Sequence, residues 1–407
     1  MALKLILDGQ SVSFSTNKIE CIGVGGEGSV FLLRNAGQIF AIKRYHQPSK
    51  ERFEKLRAAI SAKPANAIHI SGNSRVVQMA WPLGMVQENR SDIGFAMPYV
   101  SPQETLDLDF FINPVLGKDR RHLEIPNLAM RLQIALNLCS VVKSLHDSGH
   151  YFIDFKPANV KVYPKSLHVC LIDCDSYSIK HQGERFPATA YSPQFINPLA
   201  LVNNLHPSKL GEEQDNWAIA VALFQLFNFD LHPYDGVASG SVVATATDDF
   251  VKMGLYAYGS RTNALVSPKP KSVHKMWPIE LRQLFDKAFT DSTNAPPMRL
   301  WISCLKDILD NKKIARCAQF PNAIDHLKFL GFDCMQCAFE SRQKKKAPAK
   351  AKPPSKPKID TITITQASSN PTYTTTKKSS FFEFDSYNHE KIFWTIVGIV
   401  IVYIIFF

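Results

Sequence analysis

Four groups of residues in the first 175 positions have the types and the order needed to handle a polyphosphate. Gly23-Val24-Gly25-Gly26-Glu27-Gly28-Ser29-Val30 lies between two β-prone apolar runs, residues 18–22 and 30–33, as the turn of a hairpin does. A loop covering phosphates must bring backbone N–H groups close with no Cβ in the way, and Gly23, Gly25 and Gly28 permit that. A plain β-turn would use the same residues. Residues 39–43 then read as a strand ending in a cation, Lys43. Asp154 and Asn159 stand in one short Pro-containing loop, and a β-prone run over residues 168–172 delivers Asp173. Together these groups supply N–H donors, a cation and hard oxygen ligands, the equipment of phosphoryl transfer.

In this order the groups resemble the signature set of the protein kinases, over roughly residues 10–310. The resemblance implies that Gly23, Gly25, Gly28 and Val30 cover ATP, and that Lys43 contacts its α/β-phosphates while a helix glutamate steadies it. Glu54 is the residue chosen as that partner, because Phe53, Leu56 and Ile60 give residues 49–62 helical apolar spacing. Surface pairing of Glu54 with Lys50 or Arg57 is the open alternative. Residues 94–100 are similar to the strand that runs into the kinase hinge, which implies Met97 at the back of the adenine pocket and the backbone around Tyr99 facing the base. Residues 128–146 are apolar at helical spacing until Asp147-Ser148-Gly149 breaks the pattern, like the helix leading into the kinase catalytic loop. By the same resemblance Asp154 orients the substrate hydroxyl, Lys156 neutralises charge on the transferred phosphoryl, and Asn159 and Asp173 hold Mg2+. Ala190-Tyr191-Ser192-Pro193-Gln194 resembles the end of the activation segment. Asp215-Asn216-Trp217 resembles the start of the helix whose aspartate anchors the catalytic loop.

The departures are informative. The His-Arg that precedes the kinase catalytic aspartate is Phe152-Ile153, which argues against activation through a phosphorylated loop held by that arginine. The Asp-Phe-Gly position reads Asp173-Cys174-Asp175, and the added carboxylate either binds a second metal or repels the phosphates. Gln194 and Ala295 stand where a buried Glu–Arg pair is expected. Loss of both ends is the tolerable combination, because loss of one would strand a buried charge. Gly-Gly-Glu-Gly-Ser-Val, Ile-Asp-Cys-Asp-Ser-Tyr and a C-terminal Cys-x-x-Cys together resemble a group of atypical bacterial kinase-domain proteins. Some of that group carry a helix-hairpin-helix DNA-binding module. No Gly-rich helical hairpin of that kind is read here.

Net charge is +11, but Arg342, Lys344, Lys345, Lys346, Lys350, Lys352, Lys356 and Lys358 supply eight of it within residues 341–358. The remainder is close to neutral, so no nucleic-acid partner is expected. Scattered Cys21, Cys139, Cys170, Cys174 and Cys304, with no signal peptide read, suit a reducing cytosol. Cys334-Met335-Gln336-Cys337 has the spacing that places two thiolates on one tetrahedral metal, and Cys317 with His326 could complete a four-ligand zinc set; a redox pair or unrelated buried thiols are the alternatives. After residue 342 the chain is Pro/Ala/Lys-rich and then Thr/Ser-rich, a composition that buries no core. Residues 392–407 carry no charge. As a helix they would reach about 24 Å, against about 30 Å of hydrocarbon, enough for an anchor if Lys391 snorkels.

The expected architecture is therefore α+β: a two-lobed protein-kinase-like fold. Its N-lobe spans residues 1–100, its C-lobe 101–312, a zinc-binding module 313–342, a disordered linker 343–391 and a transmembrane anchor 392–407. The expected activity is that of a membrane-anchored Ser/Thr-type kinase facing the cytoplasm, using ATP and Mg2+. The alternative is a pseudokinase acting as a scaffold or nucleotide sensor.

Overall fold

Alternation of apolar and polar residues builds the first hundred positions into strands. The computed structural model describes residues 2–344 except 8, 16–18, 36, 72–73, 114–125, 241 and 292–293. Nearly all of the expected linker and the whole of the expected anchor lie outside the described residues. Strands β1 (Ala2–Leu7), β2 (Gln10–Ser15), β3 (Ile19–Val24), β4 (Gly28–Asn35) and β5 (Gln38–Tyr45) are followed by helix α1 (Lys50–Ser61). Ser49 caps that helix by accepting the Arg52 N–H at 3.2 Å, leaving one fewer orphan donor at its start. A small hairpin, β6 (Ile68–Ser71) and β7 (Ser74–Val77), precedes β8 (Gly84–Glu88) and β9 (Ser91–Pro98).

Seven of these strands form one sheet in the order β2-β1-β8-β9-β5-β4-β3, and every pairing in it is antiparallel. One face buries Leu3, Leu5, Phe14, Leu33, Phe40, Ile42, Val86 and Ala96. On the other, Tyr45, Met85 and Phe95 pack against Phe53 and Leu56 of α1. The sheet begins at residue 2, inside the N-lobe expected over residues 1–100 and ahead of the stretch from about residue 10 that carries the kinase resemblance. The signal was present: Asp8-Gly9 flanked by alternating apolar residues is a strong hairpin cue.

From residue 106 the chain turns helical: β10 (Leu106–Asp107), α2 (Asp109–Ile112), α3 (Leu128–Asp147), β11 (Val160–Val162), β12 (Val169–Leu171), α4 (Glu212–Phe227), α5 (Ile279–Thr290) and α6 (Met298–Asp310). Asn127 caps α3 through the Met130 N–H at 2.9 Å. Among the described residues α3 is the helix long and apolar enough to cross a membrane. It is instead the central core helix, packed against α4 and α6 with Leu132, Ile134, Ala135, Leu138 and Val142 fully buried.

The chain then forms a short hairpin, β13 (Ile314–Arg316) and β14 (Leu327–Phe329), and helix α7 (Met335–Lys344). The segment expected as a small module of its own shares the helical core. Phe329 and Met335 belong to the same apolar cluster as α3 and α4. The Trp277 indole N–H lies 3.1 Å from the Met335 sulfur, and Phe229 stacks on Phe339 at 4.3 Å. Residues up to 343 form one compact unit.

Candidate functional site

The face of the sheet that carries Lys43 is set by register. Val30 lies opposite Lys43, Leu32 opposite Ala41, Lys43 opposite Phe95 and Ala41 opposite Met97. Directly opposed residues share a face, so Val30, Ala41, Lys43 and Met97 look the same way. Ala41 was passed over as a site residue by sequence reasoning, although the pattern Ala41-Ile42-Lys43 carried it. Tyr99 lies just beyond β9 and lines a cavity of about 480 Å3 with Phe40, Ile60, Leu83 and Pro98. The glycines divide by cause. A Cβ at Gly28 would sit 2.4 Å from the Arg44 carbonyl oxygen, so the pairing of β4 with β5 itself demands glycine there. A Cβ at Gly23 would meet nothing within 4 Å, and one at Gly25 only the Gly28 oxygen at 3.8 Å, which leaves those two to whatever the loop covers.

Lys43 is the hub. Its Nζ reaches Asp173 Oδ1 at 2.9 Å, 130 residues away in sequence, and Asp175 Oδ2 at 2.9 Å. Glu27, from the glycine loop, approaches the same ammonium at 3.4 Å and Arg52 at 3.3 Å. Tyr45 donates its hydroxyl to Asp175 at 2.6 Å. Burial alone would discharge Lys43, but Asp175 and Asp173 more than offset it and hold the ammonium charged. Burial and the neighbouring Asp175 push the Asp173 carboxyl up. Burial would raise Asp175 too, yet Lys43 and Tyr45 hold it below the usual carboxylate range.

The expected Glu54 partnership does not form. Glu54 pairs with Lys50 at 3.7 Å on the exposed face of α1. The helix turns Lys55 inward instead, donating to the carbonyls of Ser176 at 3.2 Å and Pro187 at 3.0 Å. Adjacent residues sit about 100° apart on a helix, so Glu54 and Lys55 border the apolar stripe of Phe53, Leu56 and Ile60 from opposite sides, and packing against the turn after Asp173 selects Lys55.

The Asp154 loop is fixed from beneath. Asp215 is fully buried at the start of α4 and accepts the backbone N–H groups of Phe152 and Ile153, each at 2.7 Å, and His146 Nε2 at 2.9 Å. These charge-assisted bonds, roughly 1.5–3 kcal/mol each, hold Ile153 at φ +59°, a strained conformation for a β-branched residue. Asp154 is almost buried and accepts the Ser192 hydroxyl at 2.6 Å, a contact the sequence analysis did not foresee. Asn159 donates its amide to the Asp154 carbonyl at 3.2 Å, and its own carbonyl accepts the Ile172 N–H at 3.0 Å, so one residue joins the loop to the strand that delivers Asp173. Asp173 has φ +61°. Lys156 is exposed beside the loop.

The departures have structural counterparts. Ile153 sits in an apolar cluster with Ala188, Ile196, Ala200 and Leu210, so hydrophobic packing holds the segment after Asp173 where a charged clamp was absent from the sequence. Ala295 is buried and Gln194 exposed. The backbone between residues 195 and 197 is held by Gln214, which accepts from Asn197 N–H at 3.0 Å and donates to the Phe195 carbonyl at 2.6 Å.

A second constellation stands at the chain's end. β13 places Cys317 and β14 places His326 at adjoining strand ends, joined by the Cys317 N–H to the His326 carbonyl at 2.9 Å. Cys334 immediately precedes α7 and Cys337 lies in its first turn. Donor atoms lie at 3.5 Å (Cys317–Cys337), 3.2 Å (His326 Nδ1–Cys337) and 3.8 Å (Cys334–His326 Nδ1), and all four lie within 4.8 Å of one another. Tetrahedral zinc with sulfur at about 2.3 Å and nitrogen at about 2.0 Å requires donors about 3.5–3.8 Å apart, so the set fits. His326 Nε2 also meets Glu340 at 3.4 Å, the kind of contact that would orient the imidazole if it held a metal.

An antiparallel sheet bearing a glycine loop and lysine, joined to a helical half that presents Asp154, Asn159 and Asp173, is the architecture of a protein kinase domain. The family model for the protein kinase domain matches residues 16–311, and the chain belongs to that family. Among its relatives are the proteins called Protein kinase YegI of Escherichia coli strains K12 and O157:H7, 27% identical over 331 and 340 residues respectively. Each alignment covers 79% of this chain and 48% of the relative, so the chain spans about half the length of these bacterial kinases.

Proposed function

We propose that this chain transfers the γ-phosphate of ATP to serine or threonine hydroxyls of a protein. The observation that carries the reading is the meeting of Lys43 with Asp173 across 130 residues while Asn159 ties the Asp154 loop to the Asp173 strand. Asp154 would accept the acceptor hydroxyl's proton and orient it, with Ser192 fixing the carboxylate meanwhile. Lys156 would offset charge on the moving phosphoryl, and supports an aliphatic hydroxyl as acceptor. Asn159 and Asp173 would hold Mg2+, which when bound supplies charge neutralisation at the phosphates. Phosphate transfer from labelled ATP by the purified chain, followed by identification of the modified residue, tests the reading. Label on tyrosine only would overturn the hydroxyl class.

A scaffold or nucleotide sensor without transfer is favoured by one feature, the convergence of Glu27, Asp173 and Asp175 on a single ammonium. ATP binding without transfer by the parent chain would select it.

Because Ile153 packs with Ala188 rather than offering a phosphate clamp, Thr189→Ala is expected to retain most activity. A drop beyond about tenfold (~1.4 kcal/mol) in transfer rate would show a phosphorylation switch after all.

Cys317, His326, Cys334 and Cys337 are proposed to hold one structural Zn2+. Residues 392–407 are proposed to anchor the chain with the kinase domain on the cytoplasmic side, and the lysine-rich tract adds attraction to anionic lipid. Deleting residues 392–407 is expected to move the protein into the soluble fraction. Retention of the truncated chain on membranes in high salt would refute the anchor.

A further inference from the structure

We propose that Asp175, held by Tyr45, positions Lys43 for the nucleotide phosphates, in place of a carboxylate on α1. The proposal deepens the kinase reading and rests on it. Glu27 and Asp173 have side chains 50% and 38% exposed, so both are free to turn toward a bound ligand; Asp175 is 3% exposed. Asp175 meets Lys43 with both carboxylate oxygens, at 2.9 and 3.2 Å, and takes the Tyr45 hydroxyl as a third bond. A buried ammonium needs a fixed counter-charge, and of the three carboxylates around Lys43 Asp175 is the buried one.

The backbone around Asp175 is braced for that task. It lies on the single turn Cys174–Ser176, closed by the Ser176 N–H to the Asp173 carbonyl at 3.0 Å and the Ser176 hydroxyl to the same carbonyl at 2.8 Å, over a buried Cys174. Meanwhile α1 faces this turn with a cation. Lys55 bonds the Ser176 and Pro187 carbonyls, and Asp175 is the strongest charge acting on it. Relative to a helix glutamate facing a glycine, the charges have changed places. Lys43, Asp173 and Asp175 therefore form one unit on the sheet and a single turn, and α1 braces that unit through Lys55.

The rival account, an added carboxylate that repels phosphates, predicts the opposite sign. In the full chain Asp175→Gly is expected to lower kcat/KM for ATP by about tenfold or more, and to weaken equilibrium binding of ATP with Mg2+. Activity or affinity equal to or above the parent's would overturn the proposal. Tyr45→Phe, which keeps the ring packing, is expected to weaken ATP binding in the same direction with little change in melting temperature. Returning the carboxylate to the helix in Asp175→Gly/Lys55→Glu is expected to recover part of the loss, which a purely structural role for Asp175 would not produce. A Glu54→Ala loss as large as that of Asp175→Gly would return the role to the helix and refute the assignment. The binding arm separates the two readings: a parent that binds ATP but transfers nothing fails the kinase reading, while weakened binding in Asp175→Gly still upholds this one.

Discussion

Asp173→Ala in the full chain is expected to abolish Mg2+-dependent phosphate transfer, a loss of about 4 kcal/mol or more, on the order of a thousandfold, while leaving the fold intact. The two effects separate because of the charges around Lys43. Burial and Asp175 hold the Asp173 carboxyl above the usual carboxylate range. Its ionised form therefore costs the folded state free energy at neutral pH, and removing it is neutral or stabilising. Asp175 has the opposite sign. Its carboxyl is held down by Lys43 and Tyr45 despite burial, so it contributes stability that is present above the usual range and lost as pH falls through its folded value. Lys43→Ala should also abolish transfer, but it leaves two carboxylates facing each other without their cation, and should cost about 3–5 kcal/mol of stability. Transfer assays and thermal melts on both variants check this. Transfer persisting in both would sink the site; equal melting losses in both would show that the charge balance is misread.

The chain purified without chelator is expected to carry about one Zn2+, and Cys334→Ser/Cys337→Ser to lose it along with several kcal/mol of stability. The effect should spread into the helical half, because Phe329, Met335 and Phe339 pack with the core around Trp277 and Phe229. Glu340→Ala should keep the metal but weaken its hold about 10–100-fold, since Glu340 orients His326. Metal analysis with melting curves, with and without chelator, measures both. Protein that contains no metal would leave a thiol pair as the better account, and metal loss with an unchanged melt would remove its structural role.

Much of the candidate site was legible in residues. The glycine loop, Lys43, the Asp154–Asn159 loop and Asp173 are short local motifs whose order identifies them, and α3 announced itself by spacing. The β1–β2 hairpin was equally legible from Asp8-Gly9 and went unread. Glu54 shows where reading stops. The apolar positions Phe53, Leu56 and Ile60 define a stripe that borders both Glu54 and Lys55, and only packing against the turn after Asp173 shows that Lys55 is the one turned in. Ser192 and Glu340 carried no recognisable spacing to Asp154 or His326, because their contacts join different segments, Ser192 to a loop 38 residues earlier and Glu340 on α7 to the residue just before β14.

What the sequence by itself determined is the residue types available to a kinase domain: a glycine loop, a strand-end lysine and two acidic loops, each encoded in a few consecutive residues. What the tertiary structure alone decided is which charges meet. Asp175 could have been a metal ligand, a repelling group or a counter-ion, and its side-chain type is the same in all three cases. The fold buries it beside Tyr45 and pairs it with Lys43, a contact local sequence could not show because that partner lies 132 residues away and ion pairs act within about 3–4 Å in a low-dielectric interior.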